Sequence, residues 1–489
     1  MQEVSNPPKL RRELSIWEAI GISLALMAPS MAANINPQGP ASLVGRAVPL
    51  TFIIATVGVL LVAYSFVRLT QRFHHAGSVY GFVGATLGPR SGIMSGWMLT
   101  GTYVFYGVVT SMAFGRFAVA FLQSTGIWAD APDSGAFMIA LVALVISWLL
   151  AISPARQGTR LLLIIEAVTV GLILIVAVVV FAKLAGGSAP GGLTVDWSVF
   201  SVPEGVDPST LFLGVVFGFL SFAGFEAAAT LGEEARNPRK DIPRAILGVA
   251  IFGGVYFTVV TAIEVMGFGT SEEGIANFVA SGSLMGDLGS TYVGAWIGDL
   301  ITLGAMISAL ACCLACTVGS SRLIFALGRD GSGLKVFEGV NAKRGTPTAA
   351  TTAVILGMAA FVLLAWFGLQ WDSLTTFLQA GVIGTLILLV VYVLATVGAT
   401  KMLFFSGQKT VAGWEIIIPI LGLIVLVYTL FRNVYPFPTG AALWGPAVAI
   451  VWIVVGLIWT LARGEASRKA GEAMMQAEGL SAPTSTGKS

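Results

Sequence analysis

The chain has 489 residues, of which 56% are hydrophobic and 11% are charged, and its formal net charge is +2. This composition lies far outside the range of soluble globular proteins and is typical of a protein that crosses a membrane many times. The net charge gives no indication of a nucleic-acid partner, and none is expected.

Residues 1–15 are predicted to form a cytosolic N-terminal tail. The segment is polar, contains Pro7 and Pro8, and leads directly into a long apolar stretch. A cleavable signal would instead show a short charged region, an apolar core and a small-residue cleavage site. No cleavable signal is therefore predicted.

Twelve apolar stretches follow, each long enough to span a bilayer, for which roughly 18 residues are needed. Their predicted limits are 16–40, 48–67, 92–122, 134–152, 160–183, 209–232, 244–268, 293–318, 348–368, 373–399, 412–431 and 440–462. Together they form one membrane domain over residues 16–462. The predicted fold class is an all-α integral membrane protein with about twelve membrane-spanning helices.

The basic residues predict the orientation of this domain. If the N-terminus is inside, all but four of the 27 Lys and Arg residues fall in cytosolic segments. The four on or near the outer side are Arg46, Arg116, Lys183 and Arg432. Cytosolic segments of membrane proteins carry an excess of Lys and Arg, so both termini are predicted to be cytosolic. The protein is expected in the plasma (inner) membrane.

The segments outside the spans are too short for a soluble catalytic domain. The longest are the loop 319–347 and the C-terminal tail 463–489. The tail is polar and lies at the end of the chain, so it is predicted to be disordered.

The three cysteines, Cys312, Cys313 and Cys316, fall in one apolar span at helical spacing. A disulfide framework is implausible there, so these residues are expected to act as small buried hydrophobes. Metal binding by the cluster is the alternative. The prediction includes no metal site and no cofactor.

Two spans carry residues that interrupt a helix. Pro29 removes a backbone donor from the first span and leaves carbonyls near Ala25 and Leu26 without helical partners. The sixth span is interrupted at Ala223-Gly224 and then contains Glu226. A glutamate at this depth costs roughly 2 kcal/mol or more unless it faces a cavity, a partner or a substrate path.

Interrupted spans that lie five apart, one in each half of the chain, indicate an inverted-repeat transporter with its site at the breaks. The alternative is a simple proline kink together with a packing glycine.

Three motifs in chain order carry a family resemblance. They are AGSVYGFVGATLGPRSGIMSGW at 76–97, GFE at 224–226 followed by EEARNPRKDIPRAI at 233–246, and SSRLIFALGRDG at 320–331 followed by Thr346-Pro347. They resemble the third-helix entry, the sixth-helix signature and the loop after helix 8 in the amino acid, polyamine and organocation transporter superfamily, and in particular its bacterial amino acid permeases. The resemblance covers residues 14–462. It implies a LeuT-type fold, with an inverted repeat of five plus five helices, broken helices 1 and 6, and two extra helices at the end.

The residues expected to contact the substrate flank the breaks or face them from the third span. They are Met27, Ser30, Met31, Ala32, Phe222, Ala223, Gly224, Phe225, Glu226 and Tyr103. In the resembling family, a bulky aromatic of helix 6 covers the substrate. Phe222 is the nearest match and Phe225 is the alternative, while simple apolar packing of both rings is the competing interpretation.

The substrate itself stays open between two chemical classes. A helix that begins near Ser30 would present N–H groups to a carboxylate, and the carbonyls that end the opposing half-helices would attract an ammonium. An amino acid suits that pair of ends. A polyamine or simple amine would use the carbonyls together with Glu226. Many amino acid carriers of the resembling family have a glycine-rich first break, whereas this chain has Ala28 to Ala32.

Glu226 and Glu166 are the residues predicted to couple transport to an ion. The alternatives are that Glu226 caps a half-helix and that Glu166 pairs with a neighbour, at a position where some relatives carry a lysine. The resemblance favours a proton as the coupling ion. Sodium would need a cage of oxygens, for which Thr317, Ser320 and Ser321 offer hydroxyls.

The sequence therefore predicts a secondary transporter of amino acids or related small amines that works by alternating access, with proton-coupled symport or exchange. The alternatives are a polyamine or small-amine importer and, from a different class, a membrane nutrient sensor that does not transport. An enzyme is not expected, because no convergent set of catalytic side chains is evident. The expected partners are a small-molecule substrate and the lipid bilayer, and the sequence carries no signal for an oligomeric state.

Overall fold

The computed structural model describes residues 15–73, 79–153, 159–231, 235–329, 333–341, 345–406, 411–462 and 464–477. The predicted N-terminal tail, apart from Ser15, and residues 478–489 of the predicted C-terminal tail lie outside these ranges. The described residues form helices and no β-strand.

The described residues form the following α-helices in chain order. They are α1 (Ile16–Met27), α2 (Pro29–Ile35), α3 (Gln38–Val44), α4 (Val48–Arg72), α5 (Val79–Leu87), α6 (Pro89–Ser124), α7 (Asp133–Ala151), α8 (Thr159–Ala185), α9 (Leu211–Phe222), α10 (Pro238–Phe268), α11 (Glu272–Ala280), α12 (Leu284–Tyr292), α13 (Ala295–Arg329), α14 (Thr348–Leu363), α15 (Ser373–Phe404), α16 (Ile417–Val434), α17 (Trp444–Ala462) and α18 (Gly464–Ala477).

Twelve helical segments of the described residues are long and apolar enough to cross a membrane, which confirms the prediction of a twelve-helix, all-α membrane fold. The first span is shorter than predicted and ends at Ile35, because Asn36 and Pro37 form a turn before α3 begins. The second span then runs from Gln38 to Arg72.

The central helices are α6, α10, α13 and α15, which pack against one another or against the short helices of the first and sixth spans. The two final spans, α16 and α17, lie at the periphery. Their exposed side chains are apolar, for example Ile424, Val427 and Val451, and suit contact with lipid.

The first span is interrupted at Ala28, as the sequence predicts. Ala28 has a left-handed backbone conformation (φ 44°, ψ 58°) that separates α1 from α2. Pro29 is the first residue of α2, a position where the missing N–H costs no hydrogen bond. The chain therefore leaves α1 at Ala28 and begins α2 at Pro29.

The sixth span is interrupted at the predicted position too. Helix α9 ends at Phe222, Ala223 is extended with ψ 127°, and Gly224 has φ 100°. Glu226 lies in the turn that follows, before a short 3₁₀ segment at Ala227–Leu231. Only glycine adopts a φ of this size without strain, so Gly224 allows the chain to leave the helix axis here.

The two breaks contact each other directly. A Cβ atom on Gly224 would lie 2.7 Å from Leu26 Cβ and 3.2 Å from the backbone nitrogen of Met27. Ser23 joins the same segments, because its hydroxyl donates to the Phe225 carbonyl (3.2 Å) and accepts from the Ala228 N–H (3.0 Å). The hydroxyl thus satisfies two backbone groups that the second break removes from helical pairing.

The C-terminal region differs from the prediction. Residues 463–489 are expected from their composition to be disordered, whereas Gly464–Ala477 form α18. Helix α18 packs against α6, where Ala470 is buried and a Cβ atom on Gly471 would lie 2.3 Å from the Pro89 carbonyl oxygen, and against α5, where Met475 packs on Gly84. Mean composition does not reveal a docking face made of so few residues.

We predict that Gly224→Ala destabilises the fold by about 1–3 kcal/mol, because the new methyl group is strained at φ 100° and overlaps Leu26. Thermal unfolding of the purified protein in detergent measures the effect. Gly248→Ala is the matched control, since Gly248 is exposed on α10 and a Cβ there meets no atom within 4 Å. Equal unfolding temperatures for the two variants would contradict the proposed packing of the breaks.

Candidate functional site

A cavity of about 600 Å³ lies beside the point where the two breaks meet. Residues of α1, α2, α6, α9, α13 and α15 line it, together with the second break. They include Ile22, Leu26, Met27, Met31, Leu99, Thr102, Tyr103, Tyr106, Val109, Leu220, Ala223, Gly224, Glu226, Cys312, Cys316 and Leu388. The lining is mainly apolar and contains a few polar groups, as is usual for a small-molecule site.

The cavity extends towards one side of the membrane domain. Its mouth is lined by Val79 and Tyr80 of α5 and by Thr230 and Arg322, both of which are exposed. Helix α18 packs on α5, so the mouth lies on the side of the C-terminal helix, which the sequence predicts to be cytosolic.

The segment between α11 and α12 is bound to α2 and α3 by buried hydrogen bonds. The Asn34 side-chain oxygen accepts hydrogen bonds from the Ser283 hydroxyl and the Met285 N–H, both at 2.9 Å. The Gln38 amide donates to the Ser281 carbonyl at 2.6 Å. These bonds hold residues 281–285 against α2, the second half of the first span, and against α3.

Six of the predicted substrate contacts line this cavity. They are Met27, Met31, Tyr103, Ala223, Gly224 and Glu226. They come from three separate parts of the chain, which the contact between the two breaks and the packing of α6 bring together.

The other predicted residues lie behind the cavity wall. Phe222 packs against Phe257 of α10, with ring centroids 5.5 Å apart, and Phe225 packs against Phe66 and Tyr392 at 5.8 Å each. Both phenylalanine rings are buried, as is Ala32. In this conformation neither ring covers the cavity.

A family model described as amino acid permease matches residues 15–465 of the chain. The chain belongs to the amino acid permease family. Its interrupted first and sixth spans are those that the LeuT-type arrangement requires, so the predicted family and fold are confirmed.

Curated relatives of this permease are transporters by name. It is 27% identical to the low-affinity putrescine importer PlaP of Escherichia coli over 368 residues, which cover 73% of this chain and 75% of that protein. It is 24% identical to the branched-chain amino acid permease BcaP of Bacillus subtilis, over 71% and 73% of the two chains. An uncharacterized transporter of Mycobacterium tuberculosis is 28% identical over 91% of each chain.

Glu166 of the permease is bound to the first break. Its carboxylate accepts from the Ser30 N–H at 2.8 Å and from the Ser30 hydroxyl at 2.9 Å, and both residues are buried. Glu166 therefore caps the start of α2, at the backbone N–H group that the sequence assigns to a substrate carboxylate.

Glu226 is placed differently, because its side chain faces the cavity and is 7% exposed. Its Oε2 atom is buried and has no donor at good hydrogen-bond geometry among the described residues, although the Tyr392 hydroxyl lies close to the carboxylate. The phenol groups of Tyr103, Tyr106 and Tyr392 lie near enough to interact with it electrostatically. Glu226 and Arg322 are the charged residues among those described as lining the cavity, and Arg322 lies at the mouth.

The hydroxyls considered for a sodium cage are bonded within their own helix. Thr317 donates to the Cys313 carbonyl (2.9 Å) and Ser320 donates to the Cys316 carbonyl (2.7 Å). Ser321 likewise donates to a carbonyl of α13, that of Val318. This pattern is typical of small polar residues in packed membrane helices and lends the sodium alternative no support.

Three residues make contacts at the site that the sequence-based account does not include. Ser23 joins the breaks, Asn34 binds Ser283, and the Cys312 thiol, expected only to pack as a small hydrophobe, donates to the Leu26 carbonyl at 3.3 Å. Ser23 and Asn34 could be noticed in the sequence, because each is a polar residue inside an apolar span. The partners of all three are more than 200 residues away, so spacing alone does not reveal them.

We predict that Glu166→Ala destabilises the permease by about 1–3 kcal/mol, because the Ser30 N–H and hydroxyl lose their acceptor inside the membrane. Glu166→Gln keeps an acceptor oxygen and should recover part of the loss. Thermal unfolding in detergent is the measurement. Ile164→Ala, on the exposed face of the same helix, is the control. An unfolding temperature for Glu166→Ala equal to that of the control would refute the capping role.

Proposed function

We propose that this permease carries amino acids or related small amines across the plasma membrane by alternating access. The observation that carries the proposal is the cavity at the two helix breaks. The exposed residues Thr230 and Arg322 line one end, and we infer that residues 281–285, which are hydrogen-bonded to α2 and α3, close the other. A cavity that reaches only one side is what alternating access requires, since the same site must later open to the other side.

The ammonium group of the substrate is proposed to bind at Glu226. This carboxylate faces the cavity, it is the acidic side chain among the described lining residues, and the end of the interrupted α9 lies beside it. An ammonium in the cavity would form a charge-assisted hydrogen bond with it. The apolar lining from Met27, Leu99 and Leu220 suits a hydrocarbon side chain or an alkyl linker.

The amine alternative draws support from Glu166. Its carboxylate already occupies the Ser30 N–H at the start of α2. A substrate carboxylate would have to displace Glu166 or bind elsewhere, whereas a carboxylate-free amine needs neither. The relatives fit both classes, because one is named a putrescine importer and another a branched-chain amino acid permease.

The proposed coupling ion is a proton, carried by Glu226, with Glu166 as a second candidate. Protonation of Glu226 removes the charge that holds an ammonium, so the proton and the substrate compete for this carboxylate and would be coupled as exchange. Neutralising the Glu166 carboxylate would weaken its hold on Ser30 and leave the N–H available.

Uptake into proteoliposomes tests the proposal. The panel contains labelled branched-chain and other amino acids, putrescine and ethanolamine, each without a proton gradient and with an inward or an outward one. We expect saturable uptake of one class, stimulated by the outward gradient, because the amine that enters exchanges for a proton at Glu226. Saturable binding without uptake would instead support the nutrient-sensor alternative, and neither binding nor uptake of any compound would contradict the proposal.

We predict that Glu226→Gln lowers uptake of the selected substrate at least about tenfold and abolishes its stimulation by the proton gradient. Glutamine has no charge for the ammonium and takes up no proton, and a hydrogen bond to a charged group contributes roughly 1.5–3 kcal/mol. Glu264→Gln is the matched control, because Glu264 is a buried carboxyl of α10 outside the cavity lining. Uptake by Glu226→Gln that equals uptake by the control would contradict the assignment, provided both variants unfold at the wild-type temperature.

A further inference from the structure

Two of the three cysteines face the cavity and the third does not. Cys312 and Cys316 line the cavity, four residues apart on one face of α13. Cys313 is fully buried on another face, where its thiol contacts the Gly107 carbonyl of α6 at 3.7 Å. All three thiols are free.

One thiol of the pair contacts the first break, and the other lies beside it. The Cys312 thiol donates to the Leu26 carbonyl, near the end of α1, at 3.3 Å. The Cys316 thiol lies next to the Cys312 thiol, one helical turn closer to the mouth. Met27 and Met31 add two thioethers to the lining of the same cavity.

We propose that Cys312 and Cys316 form a dithiol site that binds trivalent arsenicals and thereby blocks the transport cavity. Sulfur ligands favour soft, thiophilic elements over hard cations such as Mg²⁺ or Ca²⁺. Two thiols on one helix face allow a single arsenic atom to form two As–S bonds, whereas a lone cysteine allows only one.

The chemistry balances without an oxidant or a reductant. An arsenoxide R–As=O condenses with the two thiols, so that two As–S bonds form and the As=O oxygen leaves as water with the two thiol protons. Arsenic stays trivalent throughout. The reagent, the thiols and the product are all uncharged, so the reaction places no new charge in the mainly apolar cavity.

The adduct would affect transport through its position. It removes the Cys312 thiol from the Leu26 carbonyl, which belongs to the segment that contacts Gly224. It also fills space between α13 and the substrate contacts Met27 and Met31. The block of transport rests on the proposed function, whereas formation of the adduct does not.

Phenylarsine oxide is the probe, and intact-protein mass spectrometry and proteoliposome uptake are the two readouts. The full chain is compared with Cys312→Ser, Cys316→Ser and Cys313→Ser. We expect wild type and Cys313→Ser to gain one phenylarsenic group with the loss of two hydrogens, and to lose at least about tenfold in uptake. A dithiol such as dimercaptopropanol should reverse both effects, and a monothiol should not.

The two variants that each lack one thiol of the pair test whether this pair is the site. We expect Cys312→Ser and Cys316→Ser to form no dithiol-reversible adduct, so that the reagent does not lower the uptake that each variant shows in its absence. An adduct that persists in either variant, or one that is lost in Cys313→Ser, would overturn the assignment. An adduct at the expected pair without loss of uptake would overturn the block. If the adduct forms as expected but no variant transports any substrate, the dithiol site stands and the proposed function fails.

Discussion

The contact between the two interrupted spans is the constraint on which the rest of the site depends. A membrane interior offers no water to unpaired backbone groups, so each break must find partners within the protein. Here the breaks supply them through Ser23, Cys312 and Glu166, and Gly224 lets the two backbones approach within van der Waals distance. The cavity exists because two half-helices end at the same depth and face each other.

This arrangement separates the two membrane-embedded glutamates by role. Glu166 is engaged with the backbone and hydroxyl of Ser30, so its charge stabilises the start of α2. Glu226 faces the cavity and is the acidic side chain among its described lining residues. The first is suited to hold a conformation and the second to bind a cation. A transporter needs both, since substrate binding has to be linked to the conformational change that closes one end of the cavity and opens the other.

Much of the fold could be predicted from the sequence, because its signals are local. Span lengths follow from apolar runs, and the breaks follow from Pro29 and Gly224, whose backbone properties do not depend on distant residues. Partners could not be predicted in this way. Glu166 meets Ser30 across 136 residues of chain, and the rings of Phe222 and Phe225 turn away from the cavity because α10, α4 and α15 offer them aromatic neighbours. The docking of α18 likewise depends on a close approach at Gly471 that composition does not report.

The most direct test of this account is a structure of the permease bound to whichever amino acid or amine it takes up best, determined by cryo-electron microscopy in lipid nanodiscs. We predict ligand density between Met27 and the second break, with the ammonium nitrogen within hydrogen-bond distance of the Glu226 carboxylate. Density in another cavity, or density at the breaks with its ammonium group directed away from Glu226, would contradict the central claim that the joined breaks form the substrate site.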